Sequence, residues 1–114
     1  MSSTVSVGSL EQDILRCSRS GNISNFRALL SRAGDEILKW RHPRSGESFL
    51  LLCARYGHVA LVGCLVEEFR ESLEQQNNDG KRALHEAALG GHVECVRFMI
   101  QKKVEIDSLK RADW

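Results

Sequence analysis

Apolar residues near the C-terminal end of the chain recur with the spacing of one helical face. Val93, Val96 and Ile100 are three and four positions apart, with Met99 beside them, which predicts a helix over about 93–101. A shorter helix rich in alanine is predicted over about 83–90, immediately before Gly91. Glycine has no Cβ, so Gly91 is expected to take the left-handed conformation that ends a helix. The pattern therefore predicts two short antiparallel helices joined by a tight turn.

The same pattern of polar and apolar positions occurs more than once along the chain. SGESFLLLCARYGHVALVGCLV (45–66) aligns without a gap on DGKRALHEAALGGHVECVRFMI (79–100), displaced by 34 residues. Identical positions include Gly46 and Gly80, Leu50 and Leu84, Ala54 and Ala88, Gly57 and Gly91, and His58 and His92. A weaker copy, ILRCSRSGNISNFRALL (14–30), lies 36 residues before the second one. A period of this length indicates a repeat array.

The repeated frame D-G-x-x-x-L-H-x-A-A-x-x-G-H-x-x-x-V resembles the ankyrin repeat, whose family motif is TPLHxAAxxGH. The resemblance implies an all-α solenoid, in which β-hairpin-like turns join units of two antiparallel helices. Repeat units are expected over 9–44, 45–78 and 79–111, after a flexible segment over 1–8, and a further truncated unit is expected to begin at 112–114. The repeat signature consists of Leu50, Ala54, Gly57, His58, Gly80, Leu84, His85, Ala87, Ala88, Gly91 and His92.

Two histidines of the third unit have structural roles in this resemblance. A histidine at the position of His85 ties the turn to neighbouring backbone, and one at the position of His92 opens the second helix. The alternative is a metal site, because His85 and Glu86 match the first two positions of the zinc-protease motif HExxH. The fifth position of that motif is Leu89 here, and both His85 and Cys95 align with leucines of the second copy. The sequence therefore predicts packing roles, with no metal and no cofactor.

Composition and charge limit the partners and the location of the protein. The chain has 16 basic and 15 acidic side chains in 114 residues, without the net basic stripe that phosphate backbones require. It contains no apolar run of membrane-spanning length, and MSSTVSVG lacks the pattern of a signal peptide. The four cysteines form no CxxC pair, which favours buried reduced thiols. We therefore expect a cytoplasmic and nuclear protein that binds neither nucleic acid nor membrane directly.

The third unit departs from the family pattern where its second helix is expected to end. Ankyrin units usually have Gly-Ala there, and this chain has Lys103 and Val104. Lys103 is therefore expected in a left-handed C-cap conformation, at a cost of roughly 1 kcal/mol relative to glycine. Replacing Lys103 with glycine is expected to stabilise the unit.

The run LKRADW (109–114) resembles LKKADW of one branch of the ankyrin family. This resemblance implies binding to the catalytic domain of alanyl-tRNA synthetase and transfer of misactivated serine onto lysine side chains. Lys110 is the first acceptor candidate and Lys102 and Lys103 are next, because a neighbouring cation is expected to lower each amine pKa. Arg111 stands where the branch has its second lysine, and a guanidinium does not lose its proton.

Two classes of function stay open from the sequence. The first is a trap for misactivated serine that works with alanyl-tRNA synthetase. The second is a generic ankyrin scaffold that binds another protein through a concave surface of turns and first helices. An enzyme that acts on a free substrate is not predicted, because no nucleophile, base and orienting group can be assembled from these motifs.

Overall fold

Seven helices form the part of the chain that the computed structural model describes, residues 7–112 with the side chains of residues 9–109. They are α1 (Val7–Ser20), α2 (Ile23–Ala33), α3 (Glu36–Lys39), α4 (Phe49–Arg55), α5 (Val59–Glu67), α6 (Ala83–Leu89) and α7 (Val93–Ala112). These residues form no β-strand, and a single isolated bridge pairs Arg41 with Ser48. No described helix is both long enough and apolar enough to cross a membrane. The all-α repeat solenoid predicted from the sequence is confirmed.

Short polar side chains cap the starts of α2 and α4, and left-handed glycines separate the helices of each pair. The Asn22 side chain accepts the Asn25 N–H at 3.0 Å where α2 begins. The Ser48 hydroxyl likewise accepts the Leu51 N–H at 3.2 Å where α4 begins. Gly91 has a φ of 74°, the left-handed conformation predicted for it. Local sequence therefore fixes the starts of α2 and α4 and the turn within each helix pair.

Aromatic side chains join the first two helix pairs. Phe26 of α2 and Phe49 of α4 stack with their ring centroids 5.5 Å apart. Phe69, which follows α5, meets the edge of Phe26 at 5.8 Å. The contact between α4 and α6 uses small residues instead of aromatic ones, and Ala83 and Ala87 are fully buried there. Alanine at these positions allows the two helices to approach closely.

The helix α3 was not predicted from the repeat pattern. It occupies Glu36–Lys39. The first copy precedes the second by 36 residues, whereas the second precedes the third by 34, so α3 lies in the longer of the two units. Ile37 of α3 is completely buried, so this short helix closes the core beneath α2. Of the segment 1–8 expected to be flexible, residues 7 and 8 belong to α1, and the remainder lies outside the described residues.

The last helix is longer than the sequence predicted. α7 extends from Val93 to Ala112 rather than ending near residue 101. Lys103 therefore lies inside a helix, and its expected left-handed conformation is wrong. Residues 101–112 contain neither glycine nor proline to end the helix, and Lys103 is held 3.9 Å from Asp107 one turn later. Ala112 is still helical, whereas 113–114 of the expected further unit lie outside the described residues.

A strained cap does occur, but in the second unit. Arg70 has a φ of 58°, the one positive value for a residue other than glycine in the described part of the chain. It lies just after α5, where the Glu71 N–H donates to the Leu65 carbonyl at 3.0 Å. This bond satisfies a carbonyl in the last turns of α5 and holds Arg70 in the left-handed region.

Candidate functional site

Successive turns are hydrogen-bonded to each other along one edge of the solenoid. The Asn78 side-chain amide donates to the Arg44 carbonyl at 3.1 Å. Arg41 Nη1 donates to the carbonyls of Gly46 and Gln76, at 2.9 and 2.8 Å. Arg44 and Asn78 are exposed. The turns therefore form a rigid row with accessible polar tips, which suits recognition of another protein.

Two buried carboxylates connect the second unit to the third. The side chains of Glu47 and Glu86 are each 4% exposed, and both pair with Arg55. Arg55 Nε lies 3.2 Å from Glu86 Oε1, and Asn77 Nδ2 donates to the other oxygen of Glu86 at 3.2 Å. Glu47 Oε1 has no hydrogen-bond partner among the described residues. One guanidinium therefore pairs with two buried carboxylates and fixes the third turn against α4.

His85 ties the start of α6 to the turn before it. Its Nδ1 accepts the Arg82 backbone N–H at 3.0 Å. The imidazole therefore satisfies a backbone donor at the N-terminus of the helix, a position where helices leave such donors without internal partners. The His85 ring therefore helps to stabilise the start of α6.

His58 and His92 connect each unit to the one before it. His92 Nε2 lies 2.7 Å from the Arg55 carbonyl oxygen, and His58 Nε2 lies 2.7 Å from the Arg19 carbonyl oxygen. A carbonyl oxygen only accepts, so Nε2 carries the proton in both rings. A Cβ on Gly57 would overlap the His92 ring, so glycine is needed there for space as well as for its left-handed φ. Both histidines are interunit contacts.

Neither a metal-binding cluster nor a reactive thiol is found among the described side chains. In the part of the chain with described side chains, no three His, Cys, Asp or Glu residues are arranged to hold a metal ion. All four cysteines are buried and free. Burial raises the pKa of Cys53 well above its ordinary value, and it also raises the pKa of Cys17 and of Cys95. Since the thiolate is the reactive form, these cysteines are packing residues.

Lys102 lies in an ion-paired environment that differs from the sequence expectation. Its Nζ is 2.6 Å from a Glu67 oxygen and 3.1 Å from a Glu105 oxygen. Hydrogen bonds to Glu67 and Glu105 raise the pKa of Lys102. The neighbouring cation Lys103 was expected to lower that pKa, and this expectation is wrong because the carboxylates are closer partners. Lys102 is therefore more firmly protonated than an ordinary lysine.

Lys103 and Lys110 are the other acceptor candidates. Lys103 Nζ is 3.2 Å from a Glu74 oxygen, and the side chain is 54% exposed. Lys102 and Lys103 both line a groove of about 540 Å³ between α7 and the segment that follows α5. Lys110 belongs to α7, but its side chain lies outside the described ones. Its position, seven residues after Lys103, places it two turns further along the same side of the helix.

Comparison with known proteins identifies the repeat. The family model for ankyrin repeats in three copies matches residues 14–110. Cortactin-binding protein 2 of Dasypus novemcinctus is 31% identical over 96 residues, which are 84% of this chain and 6% of that protein. Protein phosphatase 1 regulatory subunit 27 of Homo sapiens is 33% identical over 60 residues, which are 53% of this chain and 39% of that protein. The chain thus spans much less than two thirds of either relative.

Solved structures share the same fold. A chain in the complex of the yeast ribosomal protein Rps3 with its chaperone Yar1 superimposes with a TM-score of 0.71 and 18% identity, covering 88% of this chain and 73% of that one. A chain in the complex of the Bdellovibrio bacteriovorus endopeptidase Bd0816 with immunity protein Bd3460 gives 0.68 and 19%, covering 79% and 45%. At such identities the likeness concerns the architecture alone.

Proposed function

This chain belongs to the ankyrin-repeat family of protein-interaction modules, and we propose that its protein partner is alanyl-tRNA synthetase, from which it accepts misactivated serine on lysine side chains. The observation that carries the proposal is LKRADW (109–114), which is similar to LKKADW in ankyrin repeat domain-containing protein 16. The third unit resembles the same protein through DGKRALHEAALGG (79–91). Cytoplasmic and nuclear location is part of the proposal and is consistent with four buried free thiols.

The transfer needs only a lysine amine and the activated serine. Seryl-adenylate is a mixed anhydride, so a neutral amine attacks its acyl carbon, forms an amide and releases AMP, while the amine loses one proton. A lysine with an ordinary pKa is less than about 0.1% neutral at pH 7. Docking on the synthetase compensates for the small fraction of neutral amine, because it raises the local concentration of adenylate near particular lysines.

The structure changes the order of the acceptor candidates. Lys102 is bound to two carboxylates, and its raised pKa lowers the share of neutral amine at any given pH. Lys103 is the more accessible of the pair, at 54% exposure against 23% for Lys102. Lys110 keeps its first rank from the LKRADW resemblance. We therefore expect Lys110 and Lys103, which share one side of α7, to accept serine before Lys102.

The proposal is tested by incubating the protein with alanyl-tRNA synthetase, ATP and serine, followed by mass spectrometry of its peptides. Seryl groups on Lys110 or Lys103 are expected, and they require the synthetase. Lys110→Arg keeps the charge and removes the nucleophile. Lys81→Arg, an exposed lysine in the third turn, is the matched control and leaves labelling unchanged. Absence of labelling while the synthetase still binds would leave only a scaffold role.

The second candidate is a scaffold for another protein. It is supported by the exposed row of turns, in which Arg44, Asn78 and Lys81 present polar side chains on a rigid backbone. Surface plasmon resonance with immobilised synthetase separates the two candidates. Failure of the synthetase to bind would contradict the first proposal and leave the scaffold interpretation.

A further inference from the structure

The buried side of α7 continues beyond α5, the helix of the second unit that it contacts. Met99 belongs to the core and is 2% exposed. Ile106 lies two turns after Met99 on the same side of the helix, and Leu109 follows one turn later. Lys102 pairs with Glu67, the last residue of α5, so Ile106 and Leu109 lie past the end of that helix. They are 39% and 69% exposed, and the apolar side of α7 is incompletely covered there.

This end of α7 forms one wall of the groove of about 540 Å³, and the segment that follows α5 forms the other. We call it the α7 groove. Its apolar residues come from both walls, with Val66 and Leu73 on one and Ile106 and Leu109 on the other. Val66 is part of the core and Leu73 packs against it, so the core holds this wall in place. Apolar residues on both sides offer a place for an apolar side chain of another molecule.

The charged residues that line the α7 groove are mostly acidic. The carboxylates are those of Glu67, Glu71, Glu74, Glu105 and Asp107. The cations are Lys102, Lys103 and Arg70. Each of the two lysines lies within ion-pair distance of two of these carboxylates. Glu71 instead accepts the Gln75 side-chain amide at 2.9 Å, which is a neutral partner. The groove therefore keeps an excess of negative charge after its internal ion pairs are formed.

This excess of negative charge disfavours two kinds of occupant. In a symmetric pair of copies, each chain would place its own groove carboxylates against those of the other. An acidic peptide or a nucleic acid would likewise bring negative charge next to Glu71, and like charges in contact are unfavourable. The complementary occupant carries positive charge beside an apolar side chain.

We propose that the α7 groove binds a basic segment of a partner protein, with an apolar side chain of that segment between Leu73 and Ile106 and arginine or lysine side chains beside Glu71. Burial of the apolar side chain supplies affinity. The flanking cations supply specificity and a faster association rate, because charge complementarity acts mainly on these. Leu109, the most exposed apolar residue of the groove, is covered in the complex. The inference does not depend on alanyl-tRNA synthetase.

The test selects peptides of about 12 residues from a random phage-displayed library on the immobilised full chain. The expected sequences combine an aliphatic or aromatic residue with arginine or lysine on either side of it. The selected peptide is synthesised with a fluorescent label, and its binding to the chain is measured by fluorescence anisotropy. Raising the salt concentration from about 0.05 M to about 0.3 M is expected to weaken binding several-fold, because exposed charge pairs are screened.

Two matched pairs of variants locate the bound peptide. Leu109→Ser removes an apolar side chain of the groove, and Leu89→Ser removes one of equal exposure, 70% against 69%, at the end of α6. Glu71→Gln removes a groove carboxylate, and Glu94→Gln removes one at the other end of α7. The groove variants are expected to raise the Kd of the peptide by about fivefold or more, and the controls by less than about twofold.

Circular dichroism of the four variants checks that each keeps its helices. The proposal is overturned if no peptide combining basic and apolar residues is selected, or if acidic peptides dominate the selection. It is also overturned if the groove variants and their controls weaken binding equally, because the peptide then lies elsewhere on the chain.

Discussion

His92 Nε2 lies 2.7 Å from the carbonyl oxygen of Arg55, so the second helix of one unit is bonded to the end of the first helix of the preceding unit. His58 makes the same contact with Arg19, also at 2.7 Å. The histidine that opens the second helix therefore acts across the interface, and the hydroxyl and amide side chains of Ser48 and Asn22 provide helix capping elsewhere.

Replacing His92 with alanine is expected to lower the free energy of unfolding by about 1–2 kcal/mol. The Arg55 carbonyl loses its imidazole donor and Gly57 loses the ring packed on it. Urea unfolding followed by circular dichroism measures the change. His58→Ala repeats the test at the other interface. A loss below about 0.3 kcal/mol in both variants would show that these contacts do not stabilise the stack.

Replacing Arg70 with glycine is expected to stabilise the protein by roughly 0.5–1 kcal/mol. Arg70 has a φ of 58°, where an L side chain is strained and glycine is not. The effect is read from the urea midpoint at constant slope. Arg70→Ala keeps the Cβ and is the control, since it removes the charge without relieving the backbone. Equal midpoints for the alanine and glycine variants would argue against backbone strain.

Lys103→Gly is expected to have the opposite sign. Lys103 lies inside α7, where glycine costs about 1 kcal/mol relative to a good helix former. The ion pairs of Lys103 with Glu74 and Asp107 are lost as well, although exposed pairs contribute little. Thermal or urea unfolding of this variant beside Arg70→Gly distinguishes an interior helical position from a helix cap. Stabilisation by Lys103→Gly would contradict the continuous α7.

Arg55→Met is expected to destabilise the protein by about 3 kcal/mol. It removes the cation shared by two carboxylates whose side chains are 4% exposed, and a buried charge without its partner is strongly unfavourable. Arg16→Met is the matched control, because Arg16 is 72% exposed in its pair with Asp13 and is expected to matter little. Chemical unfolding of both variants gives the comparison. Similar losses in the two would show that the Glu47 and Glu86 contacts are not special.

Lys102 is expected to react with amine-acylating reagents only at high pH. Hydrogen bonds to Glu67 and Glu105 raise its pKa, so the neutral nucleophilic form appears at higher pH than for an ordinary lysine. Glu67→Gln removes one of these partners and is expected to shift the labelling curve of Lys102 to lower pH. Glu11→Gln, in α1, is the control and leaves the curve in place. Mass spectrometry of peptides labelled across a pH series measures the shift.

Most of the fold could be predicted from the repeat period of the sequence. Identical residues 34 positions apart located the turns and the boundaries between paired helices, because the same local constraints, such as left-handed Gly57 and Gly91, act in each copy. The end of α7 was missed because the prediction assumed that every unit ends alike. Without a glycine after residue 91, local helix preference continued through Lys103.

The chemistry of the site was less accessible from the sequence than the fold was. The sequence singled out Glu86 only through its likeness to the motif HExxH, and it did not reveal that Arg55 pairs with both Glu86 and Glu47. The pKa of Lys102 was expected to fall because Lys103 is its neighbour in sequence. On a helix, adjacent residues point in different directions, and partners one turn away or on another segment decide the electrostatics.

The stacked rings of Phe26 and Phe49, with Phe69 at their edge, join the first two units through aromatic contacts. The contact of α4 with α6 relies on alanines and on the ion pair of Arg55 with Glu86. In a linear array, such unequal interfaces separate the order in which segments open. Among the described helices, α4 contacts a helix of each neighbouring unit, whereas outside their own unit α6 and α7 contact helices of the second unit alone. Amide hydrogens of α6 and α7 are therefore expected to exchange with solvent through sub-global openings before those of α4 do.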